Sequence, residues 1–253
     1  MIKGLISAFR TLTIIPIPIK TEDNFKTAVV WFPIVGLVLG AILFFIAKLQ
    51  IMLKLNHIFI SFFFVFFSAL LTRGIHLDGL ADFADGFFGG YTKEKILKIM
   101  KDSNIGTFGA LALMFVVFFK WICFDKLLVD GNLNFTVLAY ILSRFSMSML
   151  SYALPYARNN AGTAKPFVEG VTILHAALPF IFAFLLSILI FKLAGVVLFL
   201  LALVITAILG YYFYFKIDGV TGDLLGATCE IIEVSVLFFA TFNINGLLLW
   251  VNL

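Results

Sequence analysis

The chain carries only 14 Asp and Glu, and eight of them fall in two windows: Asp78, Asp82, Asp85 and Asp102, then Asp218, Asp223, Glu230 and Glu233. In the stretch Arg73-Gly74-Ile75-His76-Leu77-Asp78-Gly79-Leu80-Ala81-Asp82-Phe83-Ala84-Asp85-Gly86 the aspartates are spaced four and three apart. On a helix, where each residue turns about 100°, this places three carboxylates within an arc of about 60°. No Lys or Arg follows any of them at i+4 to relieve the repulsion. A divalent cation would relieve it, and hard carboxylate oxygens suit Mg²⁺ or Mn²⁺. The plain alternative is an acidic helix start favoured by the helix dipole. Against that, Gly79, Gly86, Gly89 and Gly90 make a weak helix to maintain without a purpose. His76 adjoins the run and is open to three readings: ligand, base, or hydrogen-bonded helix-start residue. His57 and His175 stand alone.

The second window, Asp218-Gly219-Val220-Thr221-Gly222-Asp223 continuing to Glu230, reads as a tight turn feeding a final helix. Asp223, Ala227 and Glu230 would share one face of it, with Glu230 about two turns deep. An ionisable residue at that depth in an apolar segment is costly and marks a functional candidate, or else a buried pair with Arg144. Between the windows, Lys101-Asp102-Ser103 precedes another apolar run. Asp102 or Ser103 can cap the helix that follows, and a helix start beside Lys101 suits a phosphate.

These residues must be held by membrane elements. The 253 residues are 62% hydrophobic and 13% charged, with a mean hydropathy of +1.12. Ordinary soluble domains have roughly 45–50% apolar and about 25% charged residues, so a soluble globule is excluded. The net charge of +4 is carried by scattered Lys and Arg rather than one basic face, which argues against a nucleic-acid partner. Cys123 and Cys229 match no metal or redox spacing. The expected fold is an all-α, polytopic integral membrane bundle forming a single domain over 1–253.

Uncharged runs long enough to span number about seven: 27–47, 55–72, 103–119, 136–157 (interrupted by Arg144), 171–191, 193–215 and 224–253 (carrying Glu230 and Glu233). Arg10, Pro16 and Pro18 break the N-terminal segment, which reads as a short interfacial helix rather than a secretory signal; Leu5, Phe9 and Leu12 recur opposite Lys3, Ser7 and Arg10. With a cytoplasmic N-terminus, twelve of the 18 Lys and Arg fall on the cytoplasmic side, while Lys48, Lys54, Lys120, Lys126 and Lys192 fall outside. The positive-inside rule thus selects a cell-membrane protein whose segments 73–102, 158–170 and 216–223 share the cytoplasmic face.

Taken together, the windows resemble the cobalamin synthase family, the integral membrane adenosylcobinamide-GDP ribazoletransferases. The resemblance covers most of the chain: residues 11–18, Trp31-Phe32-Pro33-Ile34-Val35-Gly36, the His76 to Asp82 run ending in Ala84-Asp85-Gly86, Lys101-Asp102-Ser103 with Gly106 and Gly109, Leu142-Ser143-Arg144, and Thr221-Gly222-Asp223 with Gly226-Ala227. It departs from the family pattern at Phe83 and Asn104. The resemblance implies that α-ribazole, or its 5′-phosphate, attacks adenosylcobinamide-GDP, that GMP leaves, and that Mg²⁺ is required. On that reading Asp78, Asp82, Asp85 and Asp223 hold metal. His76, Asp82 and Asp223 serve the chemistry, while Arg73, Lys101, Asp102, Ser103, Arg144, Thr221 and Glu230 bind substrate. The residues support phosphoryl transfer independently, since a diphosphate needs charge neutralisation and a stabilised leaving oxygen.

Two other classes compete. A CDP-alcohol type phosphotransferase would show Ala-Arg after its first Asp-Gly, whereas Ala81 is followed by Asp82. A cation transporter would distribute acids at mid-membrane in two halves, whereas these cluster and no internal repeat is visible. The sequence is compatible with an oligomer.

Overall fold

The computed structural model describes residues 1–158 and 162–242, which fold into ten helices and one isolated β-bridge. In order these are α1 (Ile2–Leu12), α2 (Phe25–Met52), α3 (His57–Leu71), α4 (Ile75–Gly89), α5 (Lys93–Ile99), α6 (Thr107–Val129), α7 (Phe135–Ala153), α8 (Lys165–Val168), α9 (Ile173–Ile217) and α10 (Gly222–Thr241). The part of the last expected span beyond residue 242 lies outside the described residues. Several starts are fixed by side chains that accept an otherwise orphaned backbone N–H: Asn24 from Thr27, Asn56 from Ile58, and Thr92 from Lys95.

The centre of the bundle is α7, packed against α2, α9 and α10. Most of its residues are buried, including Ser143, Arg144, Ser146 and Ser148. A helix surrounded by protein need not be apolar all round, which is why this one is more polar than its lipid-facing neighbours. Its closest partner is α2, where Gly36 and Gly40 let backbones meet. A Cβ on Gly40 would come 2.9 Å from Val137 Cα, and one on Gly36 would strike the Tyr140 carbonyl. Small residues four apart permit such crossings where lipid gives helices no hydrophobic drive to associate.

Among the described residues four helices are long and apolar enough to cross a membrane, α2, α6, α9 and α10, with a fifth span if α3 and α4 count as one. Length and apolarity alone do not separate the seven expected runs in this fold, for three reasons. First, α3 has only 15 residues and continues into α4 across an 88° bend. The bend is made by two successive left-handed residues, Arg73 (φ 55) and Gly74 (φ 67). Second, α7 is buried and too polar to be recognised by apolarity. Third, α9 unites two expected spans. It breaks at Lys192 (φ 53, ψ −135), the charge that separated the two runs in the sequence. Phe199 packs on Phe180 and Phe184 with ring centroids 5.2 and 5.4 Å apart. In a straight helix those pairs would be more than about 20 Å apart, so 173–191 and 193–217 fold back along each other.

The N-terminal helix α1 docks on α2 rather than presenting a simple polar face. Ser7 is buried and donates to Asp23 at 3.0 Å, and the Trp31 indole donates to the Met1 carbonyl at 3.1 Å.

The three segments expected to share one membrane face meet at one end of the bundle. Residues 155–157 form the bridge to 220 through Ala157 N–H to the Val220 carbonyl (3.0 Å) and Val220 N–H to the Pro155 carbonyl (2.9 Å). Lys93 pairs with Asp218 at 3.1 Å. Cysteines placed at exposed Tyr91 and Asp218 should therefore both react with an impermeant maleimide from the same side of sealed vesicles. The native Cys123 and Cys229 are buried and contribute little background. Labelling of the two positions from opposite sides would contradict this arrangement.

Candidate active site

Helices α4 and α10 approach at backbone distance because each offers glycine to the other. A Cβ on Gly79 would lie 2.5 Å from the Asp223 carbonyl oxygen, and one on Gly226 would lie 3.2 Å from His76 Cα. Gly79 sits between Asp78 and Asp82, so this contact brings the two acidic windows together from opposite ends of the chain. The charges of Asp223, Asp78 and Asp85 all bear on Asp82, with Arg158 opposing them. Asp223 accepts from Arg158 Nη2 at 2.9 Å and from the Thr221 hydroxyl at 3.4 Å. Thr221 also caps α10 by accepting from Leu224 N–H at 3.3 Å. Arg158 was not among the residues singled out by sequence. Its signal was its place in the basic segment 158–170, predicted to lie on the same face as Asp223.

Asp85 has a different setting from Asp78 and Asp82. Its two oxygens accept from Gly106 N–H (2.7 Å) and Gly109 N–H (2.8 Å), closing the first turn of α6. A Cβ on either glycine would strike that carboxylate. The cap expected from Asp102 or Ser103 is thus supplied by Asp85, from another helix, because the chain between residues 102 and 106 turns away before α6 begins. Asp102 accepts instead from Asn104 N–H (3.0 Å) and Asn104 Nδ2 (2.7 Å), two bonds that hold its carboxyl below the usual carboxylate range. Among the described residues no three Asp, Glu, His or Cys side chains stand gathered as a finished metal centre.

Arg144 and Glu230 lie in a separate, buried network. Lys120 Nζ donates to Glu230 Oε2 at 2.7 Å and to Glu233 Oε1 at 2.6 Å. Arg144 pairs with Glu233, donates to the Ser143 hydroxyl at 2.9 Å and lies over the Tyr140 ring at 4.6 Å. The four charges sum to zero. Lys120, placed by sequence among the outer-side cations, is in fact buried between α6 and α10, where two glutamates compensate it. Arg144 also links this network to the site, because its Nη2 stands 3.5 Å from His76 Nδ1.

Two cavities open beside the aspartates and share Arg73, Ile75 and Asp78. One, of about 590 Å³, is lined by Asp82, Lys101, Asp102, Ser103 and Asn104. The other, of about 480 Å³, adds His76 and Asp223 to the apolar side chains of Leu12, Phe32, Met147, Phe167 and Leu225. Arg73 is fixed between them by donating to the carbonyls of Arg10 (2.8 Å) and Thr11 (3.0 Å).

Comparison with known proteins gives this arrangement a lineage. The family described as "Cobalamin-5-phosphate synthase" matches residues 4–241. The chain belongs to this family. Among curated cobalamin-5-phosphate synthase relatives, a protein of Chlorobium chlorochromatii is 44% identical over 255 residues, covering 99% of this chain and all of the relative. One from Chlorobaculum parvum is 39% identical, covering 98% of both chains. A more distant one, from Caldanaerobacter subterraneus, is 33% identical over 94% of this chain and 98% of the relative. All three are named adenosylcobinamide-GDP ribazoletransferase. No solved structure matches the chain. Membership makes this chain a transferase of cobalamin biosynthesis, carried on apolar membrane helices.

Proposed function

We propose that the chain joins ribazole, or its 5′-phosphate, to adenosylcobinamide-GDP with release of GMP, at the cytoplasmic face of the cell membrane. One observation carries the reading: α4, with Asp78 and Asp82, meets α10 at Asp223, the cations Arg73 and Lys101 line the adjoining cavity, and Arg158 pairs with Asp223. The names of the relatives supply the substrates. In the reaction the ribose 3′-hydroxyl attacks the phosphorus joined to cobinamide, the P–O bond to the GMP phosphate breaks, and the hydroxyl proton passes to a base.

Mg²⁺, or Mn²⁺, is the cofactor that Asp78, Asp82 and Asp223 would hold, and when bound it supplies charge neutralisation for the diphosphate and stabilisation of the departing oxygen. Asp85, bound to α6, would orient the helix start rather than serve as a free ligand. Lys101 and Arg73 counter the charge of the phosphates, and Arg158 steers Asp223. His76 Nδ1 lies 3.5 Å from Arg144 Nη2, which only donates, and 3.6 Å from Cys229 Sγ; in the tautomer that pairs with Arg144, Nδ1 accepts and the ring proton sits on Nε2. His76 therefore presents a donor. That makes a carboxylate the better acceptor for the hydroxyl proton.

Purified protein given adenosylcobinamide-GDP and α-ribazole should release GMP in step with cobalamin product, stop on chelation and resume with Mg²⁺. No GMP under these conditions would overturn the proposal. Lys101→Ala should raise KM for adenosylcobinamide-GDP roughly tenfold while kcat stays within about twofold, since a hydrogen bond to a charged group contributes about 1.5–3 kcal/mol. An unchanged KM would remove Lys101 from the site.

A further inference from the structure

We infer that the two cavities divide the substrates, with the 480 Å³ cavity holding the flat aromatic base of the nucleoside acceptor and the 590 Å³ cavity holding the nucleoside diphosphate of the donor. The inference rests on the reaction proposed above. The two spaces meet at Arg73, Ile75 and Asp78, so a hydroxyl presented from one side and a phosphate from the other would come together at the carboxylates. This is the geometry a two-substrate transfer needs.

Their linings differ in kind. The larger cavity offers Lys101, Asp102, Ser103 and Asn104, all exposed and polar. Cations meet a diphosphate there, and a carboxylate and an amide can pair with the donor-rich and acceptor-rich edges of a purine. The smaller cavity is walled by Phe32, Phe167, Met147 and Leu225, with Phe32 and Phe167 ring centroids 5.8 Å apart. Aromatic and thioether groups of this kind pack on the faces of a planar ring.

Within that apolar lining the histidine is decisive. His76 is 2% exposed, and its Nε2 has no hydrogen-bond partner. In the tautomer that pairs Nδ1 with Arg144, Nε2 carries the proton, so the wall presents a buried donor awaiting an acceptor. An N-ribosylated benzimidazole has one free ring nitrogen, an acceptor, and no ring donors. A guanine placed in the same cavity could find charged acceptors for its ring donors only in Asp78 and Asp223, the carboxylates proposed to hold the metal, whereas a benzimidazole has no ring donors to compete for them. The chemistry of the two linings therefore selects one substrate each.

The test uses α-ribazole bearing an azide on its benzimidazole, irradiated with the wild-type protein in detergent and without donor. The label is expected on the peptide containing Met147 or that containing Phe167. Label on residues 100–105, or anywhere outside the smaller cavity, would overturn the assignment. A second measurement reads kinetics. Thr163, exposed at the mouth of the smaller cavity, is replaced by Trp, and Ser103 in the larger one likewise. Thr163→Trp should raise KM for α-ribazole at least about tenfold, leaving KM for adenosylcobinamide-GDP within about twofold, and Ser103→Trp should do the reverse. Both variants raising the same KM would overturn the division. Protein that labels as expected but releases no GMP would keep the cavity and lose the proposed reaction; GMP release with label elsewhere would do the opposite.

Discussion

Replacing Asp82 by Asn is expected to lower turnover by at least about 100-fold at saturating substrate, the upper range seen even when only the outer-shell partners of a metal site are lost. Asp82 sits where the charges of Asp78, Asp85 and Asp223 converge, so it is the carboxylate whose electrostatic conflict a cation would relieve most. The same substitution removes one of several repelling charges, so without Mg²⁺ the variant should unfold at the same temperature as wild type or a higher one. Turnover near wild type at limiting Mg²⁺ would contradict the assignment. A loss of turnover accompanied by unfolding would make Asp82 a structural residue.

The second large effect belongs to the buried network. Lys120→Met should destabilise the folded protein by about 3–5 kcal/mol, because it strips Glu230 of its ion-pair partner among the described residues while leaving its charge in the interior. Glu233 is less affected, since it keeps Arg144. The double variant Lys120→Met with Glu230→Gln should recover most of that loss, as removing both charges avoids an uncompensated one. Denaturant midpoints in a fixed detergent would read both effects. A single variant within about 1 kcal/mol of wild type would show that the network contributes little.

What the sequence makes legible of the candidate site is local. Asp78, Asp82 and Asp85 are linked by helical spacing, and Thr221-Gly222-Asp223 is a capped helix start, so each window could be read without its partner. That the windows share one face followed from the Lys and Arg distribution. What brings them into contact did not. Gly79 and Gly226 resemble weak points in a helix when read singly, and only the crossing of α4 and α10 shows that each makes room for the other's backbone.

Other settings depend on residues far away in the chain. Asp85 carries the same spacing as its neighbours, yet the start of α6, some twenty residues on, claims both its oxygens. Lys120 stands between apolar runs like any loop cation, and its burial depends on Glu230 and Glu233, more than a hundred residues away. Arg158 has no motif of its own; it matters because the 155–157 bridge lays it beside Asp223. Apolarity alone is a poor guide at α7, which its neighbours shelter from lipid, and at α3, which ends in a sharp bend, yet the uncharged runs 136–157 and 55–72 overlap both helices.

The proposed chemistry requires that the two windows, from opposite ends of the chain, build one metal-holding site. The direct measurement is Mn²⁺ binding to the detergent-solubilised protein, followed by the loss of the free-ion electron paramagnetic resonance signal, for wild type, Asp82→Asn and Asp223→Asn. Wild type should bind Mn²⁺ in competition with Mg²⁺, and each single substitution, one in α4 and one in α10, should weaken that binding at least about tenfold. Binding lost in Asp82→Asn but unchanged in Asp223→Asn would contradict the shared site and return Asp223 to a structural partnership with Arg158.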